Sequence, residues 1–286
     1  MTTECGCCPT GSARIFCDKG REAGPRWWVW PTSMLEINGI AKRFGRVSAV
    51  ENVSFQVHPG ENVAFLGPNG AGKTTTLKMA VGLLKPDGGK VLVDGIDLVK
   101  EPVMAKSLLA YIPDVPYLFP RLTGWEHVTY VARAYKVSLA ACRQKGSDLI
   151  EAFGLQPFIN RPVEEYSHGT RQKVAWVAAL VHEPRYLILD EPTVGLDPQN
   201  TRLVKDVLSY LAQNGTGILM STHLMEMAEQ LSSIAIMISG GRIVASGTLE
   251  AFRSQASEAA ATLEDIFLRN TGGVKPVEAL KNALGR

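Results

Sequence analysis

The stretch GPNGAGKTTT, residues 67–76, limits what this chain can fold into more than any other. It fits G-x-x-x-x-G-K-[ST] at Gly67, Gly72, Lys73 and Thr74. A bound polyphosphate needs many hydrogen-bond donors at close range, and backbone N–H groups supply them only where the chain can curl around the anion. Gly67, Gly70 and Gly72 lack a Cβ and so permit the turns and the close approach. A helix opening near Gly72 points its positive end at the same anion. Lys73 adds a full charge for the β- and γ-phosphates, and the Thr74 hydroxyl suits Mg²⁺. Gly67, Pro68, Asn69, Gly70, Ala71, Gly72, Lys73, Thr74 and Thr75 are thus expected to wrap the phosphates of ATP. Before them, Asn62–Leu66 (NVAFL) reads as a buried strand, and Lys73–Leu84 reads as a helix. A glycine-rich turn with a chance lysine has no need of that strand–loop–helix setting.

The 286 residues, 45% of them hydrophobic, suffice for one large domain or two modest ones. A net charge of +2 makes no broad electrostatic case for nucleic acid, and none is expected as a partner. The apolar run VAWVAALV (174–181) is broken by His182, Glu183 and Pro184, and IAIMIS (234–239) is short. The chain is therefore not expected to span a membrane by itself. ATP chemistry and the lack of an apolar leader point to the cytoplasm.

Cys5, Cys7, Cys8 and Cys17 crowd the N-terminus beside Trp27, Trp28 and Trp30, and Cys142 stands apart. Cys5 and Cys8 make one C-x-x-C, but with no second pair and no nearby histidine the usual zinc spacing is incomplete. Residues 1–33 show no periodicity. They read as a disordered tail, or as an upstream start ahead of Met34, where MLEINGIAKRFG begins.

From Met34 onward, LEINGIAKRF (35–44) and AVENVSFQV (49–57) alternate as strands. KVLVDGIDLV (90–99) places Asp94-Gly95 between two apolar runs, a hairpin signal. LLAYI (108–112) is a further buried strand. From Pro113 to Glu165 the period becomes helical, in TGWEHVTYVARAYK (123–136) and SLAACRQKGSDLIEAF (138–153). The α/β alternation then resumes: a helix after Ser167, a strand at Tyr186–Asp190, a helix at about Pro198–Gln213, and a strand at GILMS (217–221). IAIMIS and RIVA follow around Gly240-Gly241. The expected fold class is α/β, a mostly parallel nucleotide-binding sheet with an antiparallel β subdomain and an inserted helical subdomain at about 113–168. The main domain runs over 34–247, and 248–286 form a helical C-terminal tail.

LILDEP (187–192) sets two carboxylates at the end of an apolar strand, a costly placement unless the charge is used. Asp190 is placed to hold Mg²⁺, through water, and Glu191 to polarise an attacking water. Taken without the glycine loop, the pair would read as solvated strand-end acids.

With these pieces in order, residues 34–270 resemble the ATP-binding subunits of ABC transporters. YSHGTRQK (166–173) stands where that family carries LSGGQ; Ser167 and Gly169 match, while Tyr166, His168 and Thr170 depart. Read by itself the same stretch is a helix start capped by Ser167. The resemblance implies that Ser167, His168 and Gly169 meet the γ-phosphate of ATP held by a second copy. It further implies that His223 of STHLMEMAE is the switch histidine, that Asp197 of GLDP works across the dimer interface, and that Phe44 stacks on adenine. An ordinary core phenylalanine is the other reading of Phe44. Asp114 stands where the family has its Q-loop glutamine and is expected near Mg²⁺ or the water.

The implied catalytic set is Glu191, His223 and Lys73, and the implied metal set is Thr74, Asp190 and Asp114. Asp114, the YSHG signature and LEDIFLRNTG (263–272) resemble a bacterial export-type subset. Its partners would be a second ATPase subunit, identical or not, and a separate transmembrane permease that keeps the chain at the cytoplasmic face of the membrane. Residues 113–165 would pass closure on, with Pro116–Thr123, including Tyr117, Phe119 and Pro120, as the docking groove. The alternative is a soluble ABC ATPase acting on ribosomes or DNA. Translation factors of that kind carry two cassettes in one chain, and chromosome-type ATPases carry sustained heptads; neither is present.

Overall fold

The computed structural model describes residues 33–255 together with 263 and 267. The expectations for Cys5, Cys7, Cys8, Cys17 and the three N-terminal tryptophans, and most of LEDIFLRNTG, lie outside the described residues.

β1 (Leu35–Phe44) and β2 (Val47–Val57) pair antiparallel, with Leu35 opposite Val57. β3 (Asn62–Leu66) is buried at every position, which is why its sequence is apolar without alternation. After the glycine loop comes α1 (Lys73–Ala80), shorter than the expected 73–84. Gly82 takes φ +67, and the N–H groups of Leu83 and Leu84 fold back onto the Lys78 carbonyl, ending the helix by a left-handed glycine.

β4 (Gly88–Val93) and β5 (Ile96–Asp97) form the expected hairpin. Its turn residues Asp94 and Gly95 both have positive φ, 51° and 80°, as a tight two-residue hairpin needs. These strands complete a four-stranded antiparallel sheet, β2-β1-β4-β5.

α2 (Pro102–Ser107) was not anticipated; with six residues it is too short to show a period. β6 (Leu109–Ile112) leads into α3 (Gly124–Ala134) and α4 (Leu139–Ala152), the inserted helices. Thr123 and Glu126 close a capping box at the start of α3, and Ser138 caps α4. α5 (His168–Leu180), β7 (Tyr186–Asp190), α6 (Pro198–Gln213) and β8 (Gly217–Thr222) follow at the expected places. α7 (Met225–Leu231), also unanticipated, precedes β9 (Ile234–Ser239), β10 (Arg242–Thr248) and α8 (Leu249–Gln255).

The second sheet has six strands in the order β10-β9-β3-β8-β7-β6. All its pairs are parallel except the β9–β10 hairpin. The register sets Leu66 beside Thr222 and Asp190 beside Ser221, so β3, β7 and β8 end together at one edge. Loops beyond the carboxyl ends of parallel strands are where such sheets bind ligands. One apolar cluster fills the space between α1 and the two sheets, and another lies under α3, α4 and α5. The antiparallel sheet is tied to the edge: Glu51 donates its N–H to the Gly241 carbonyl, and Gly241 donates to that of Ala71.

Candidate active site

The glycine loop is held by its neighbours. A Cβ on Gly67 would lie 2.5 Å from the Ile238 carbonyl oxygen, and one on Gly72 would lie 2.5 Å from that of Ala49. Gly72 also takes φ +106, closed to other residues without strain. β9 and β2 thus press on the loop from outside and leave no room for side chains at these two positions. Lys73 is 6% exposed. Its ammonium arches over the loop and donates to the carbonyls of Gly67 (2.7 Å) and Pro68 (3.3 Å). Pro68, Asn69 and Gly70 are exposed, Ala71 is buried, and Thr74 opens to solvent beside the half-buried Thr75.

β7 delivers both acids. Asp190 is fully buried, and the Ser221 hydroxyl donates to its Oδ1 at 2.5 Å. Its Oδ2 is buried with no hydrogen-bond partner. Glu191 turns out of the strand at φ +48, a left-handed conformation that strains a non-glycine residue. Its backbone N–H is fixed by the Ser221 carbonyl at 3.1 Å. That turn brings its carboxylate to 3.4 Å from Lys73 Nζ and 3.0 Å from His223 Nδ1, with the His223 backbone N–H at 3.4 Å. Lys73, Glu191 and His223, distant in sequence, therefore meet in one cluster. Ser221, which holds Asp190, is a functional residue that sequence reasoning missed; its one signal was a hydroxyl inside the otherwise apolar GILMS.

Among the described residues, the remaining predicted ones make no hydrogen bond to this cluster. Ser167 caps α5, accepting from the Thr170 N–H at 3.3 Å and sharing a hydrogen with its hydroxyl at 2.9 Å. Asp197 caps α6, accepting from the Asn200 N–H (2.8 Å) and side-chain amide (2.6 Å); these bonds hold its carboxyl below the usual range. The two caps face each other. The His168 ring borders Gly195, and Asn200 borders Gly169. Among the described residues no hydrogen bond joins Ser167, His168 or Asp197 to the glycine loop. Phe44 ends β1 at 52% exposure, with Lys42 Nζ 5.9 Å from its ring centre, so the core reading of this residue does not hold.

Asp114 is exposed and accepts from the Val115 N–H at 2.8 Å. Beyond it Tyr117 is 84% exposed, and Phe119 packs edge-on against Tyr130 with 5.2 Å between ring centres. Among the described residues no helix is long and apolar enough to cross a membrane.

Residues 50–194 match the family model described as ABC transporter. The chain is 36% identical to the ABC transporter ATP-binding protein NatA of Bacillus subtilis, over 79% of this chain and 94% of that one. It is 36% identical to the Nod factor export ATP-binding protein I of Paraburkholderia xenovorans, covering 83% and 77%. With the daunorubicin/doxorubicin resistance ATP-binding protein DrrA of Streptomyces peucetius it shares 35% identity, covering 78% and 68%. A solved ATP-binding subunit of an ABC transporter superposes with a TM-score of 0.79 at 34% identity, over 84% of this chain and all of that one. The glycine loop, the strand-end acids and the two-sheet architecture therefore have one explanation: the chain belongs to the ABC transporter family, as an ATP-binding, ATP-hydrolysing subunit that powers transport.

Proposed function

We propose that this subunit hydrolyses ATP with Mg²⁺ as one of a pair of cassettes and drives export through a separate permease. The observation that carries the reading is the meeting of Lys73, Glu191 and His223 at the carboxyl edge of the sheet. The donor set fits the metal. Asp190 keeps one buried oxygen without a partner, and Thr74 presents a hydroxyl to solvent one residue beyond the loop. Among the described residues no three His, Cys, Asp or Glu side chains form a ready cage, in keeping with a cation that takes one or two carboxylates and shares the substrate's phosphates. Thr74 and Asp190 would hold Mg²⁺, and the ion would supply positive charge against the charge that develops on the phosphates.

The chain's own residues do the rest. The loop N–H groups and the α1 N-terminus receive the phosphates, and Lys73 releases the loop carbonyls to meet the β- and γ-phosphates. Glu191 accepts from the attacking water and draws on its proton, while His223 orients the Glu191 carboxylate and faces the γ-phosphate. Asp114 supplies a further acid on the metal side, and Phe44 offers its exposed face to adenine. Ser167, His168, Gly169 and Asp197 act on the nucleotide of a second copy, identical or related. The exposure of Ser167, His168 and Asp197 supports this reading. Residues 34–247 form the catalytic domain and 113–168 its helical subdomain, between a tail of residues 1–33 and a C-terminal segment of 248–286. Pro116–Thr123 docks the permease at the cytoplasmic face of the membrane, through the exposed Tyr117 and Phe119.

Export is supported by two relatives named for Nod factor export and for drug resistance, together with Asp114 and the YSHG stretch. Native purification of the tagged chain from detergent-solubilised membranes tests the reading. A polytopic chain in stoichiometric amount is expected. Ribosomal proteins, DNA-repair proteins or no partner would contradict it.

A further inference from the structure

Tyr111 is a half-buried side chain with a buried hydroxyl that the site as described leaves unused. It lies on β6 directly opposite Ile188 of β7. Side chains alternate along a strand, so Ile188 and Asp190 share a face, and Tyr111 and Asp190 are diagonal neighbours on it. With strands about 4.8 Å apart and about 3.3 Å of rise per residue, that diagonal is roughly 8 Å, within reach of an aromatic side chain. That face packs on α1, where Tyr111 lies against the cluster holding Ile188 and Leu77. The Tyr111 hydroxyl is buried without a hydrogen-bond partner, and so is Oδ2 of Asp190. One is a donor lacking an acceptor; the other is an acceptor lacking a donor. Burial, then the negative charges of Asp190 and Asp114, favour the protonated Tyr111 hydroxyl. No formed bond yet joins the two groups. The pairing requires the tyrosine tip to move toward Asp190.

We propose that Tyr111 is a positioning residue for Asp190, its hydroxyl donating to Oδ2 while Ser221 donates to Oδ1, so that the carboxylate is gripped on both oxygens. A carboxylate held this way still has lone pairs free for a metal-bound water. Tyr111 has one proton to give, and it goes to the buried acid. Asp114 is exposed and already takes the Val115 N–H. The competing reading is that Tyr111 is only a packing ring and its hydroxyl is incidental. The positioning role rests on the assignment of Asp190 to the metal side of the proposed site, but the bond itself does not.

The test is Tyr111→Phe, which removes one oxygen and keeps the ring. The bond is read first on the chain without metal or nucleotide, as a double-mutant cycle of Tyr111→Phe and Asp190→Ala in denaturant unfolding. Non-additive effects are expected, because residues in contact couple; additive effects would overturn the bond. The positioning role is read next, from the Mg²⁺ concentration that half-saturates ATP hydrolysis. In Tyr111→Phe it should rise about ten- to hundredfold, as for other residues that orient a metal ligand, with ATP binding in EDTA unchanged. An unchanged Mg²⁺ requirement would refute positioning. Asp190→Ala reports separately on the site: if it keeps full Mg²⁺-dependent turnover, the assignment of Asp190 fails, while the cycle still decides the bond.

Discussion

Glu191 shows how much one residue can depend on its backbone. Its φ of +48 turns the side chain off the strand axis and into the space between Lys73 and His223. Such a conformation costs on the order of 1–3 kcal/mol and persists only where its surroundings enforce it. Here Ser221 holds the backbone N–H and His223 holds the carboxylate. Glu191→Gln keeps an oxygen for His223 but loses the negative charge that draws on water. Its ATP turnover should fall about 10²- to 10⁴-fold, with nucleotide binding retained, in a steady-state phosphate-release assay.

Lys73 and Glu191 were legible because each sits in a motif whose chemistry needs that residue type, and His223 was legible through the family resemblance alone. Ser221 and Tyr111 were not legible. A single hydroxyl in a strand does not reveal its partner, because strand register decides which side chains meet, and register is a property of the pair.

At the scale of elements, the hydrophobic period located the long helices well. The short α2 and α7 escaped it, and Gly82 ended α1 early. The turn chemistry of Asp94-Gly95 and Gly240-Gly241 was readable, since both pairs take the positive φ values that such residues permit. The coupling of the inserted helices to the sheet was not. His182, just beyond α5, stacks on Tyr135 at the end of α3, with 3.7 Å between ring centres, and its Nε2 donates to the Leu109 carbonyl of β6 at 3.1 Å. Burial pushes its pKa down to about 4, against the pull of the Leu109 carbonyl and with help from the Lys145 charge.

The folded value lies below the ordinary 6.5, so between 6.5 and about 4 the unfolded chain binds a proton that the folded chain refuses. Stability should therefore fall as pH drops through that window, by about 3 kcal/mol from this residue. Buried His127 is shifted the same way by the same cause and adds to the loss. His182→Gln keeps a donor for Leu109 and does not titrate there. Its melting temperature should decline less steeply from pH 6.5 to 4.5 than that of the wild type, though not level off.

Across the whole molecule, two sheets converge on one loop. β2 and β9 close on the glycines, while Asp94 of the antiparallel hairpin accepts from the Tyr186 hydroxyl (2.7 Å) and Arg185 (3.0 Å) at the start of β7. The alternation of elements revealed the class of this architecture, but the strand order β10-β9-β3-β8-β7-β6 was beyond it, because crossovers leave no local mark. The assembled molecule also separates its parts. Lys73, Glu191 and His223 form one cluster, and the Ser167 and Asp197 caps form another with no hydrogen bond to the loop among the described residues. Our proposal is that two copies together bring both to one nucleotide. The direct measurement is sedimentation of the Glu191→Gln chain with and without ATP and Mg²⁺. The account predicts a monomer that becomes a dimer when ATP is added, and no such shift when Ser167→Arg is introduced on the same background. A chain that remains monomeric with saturating ATP bound would contradict it.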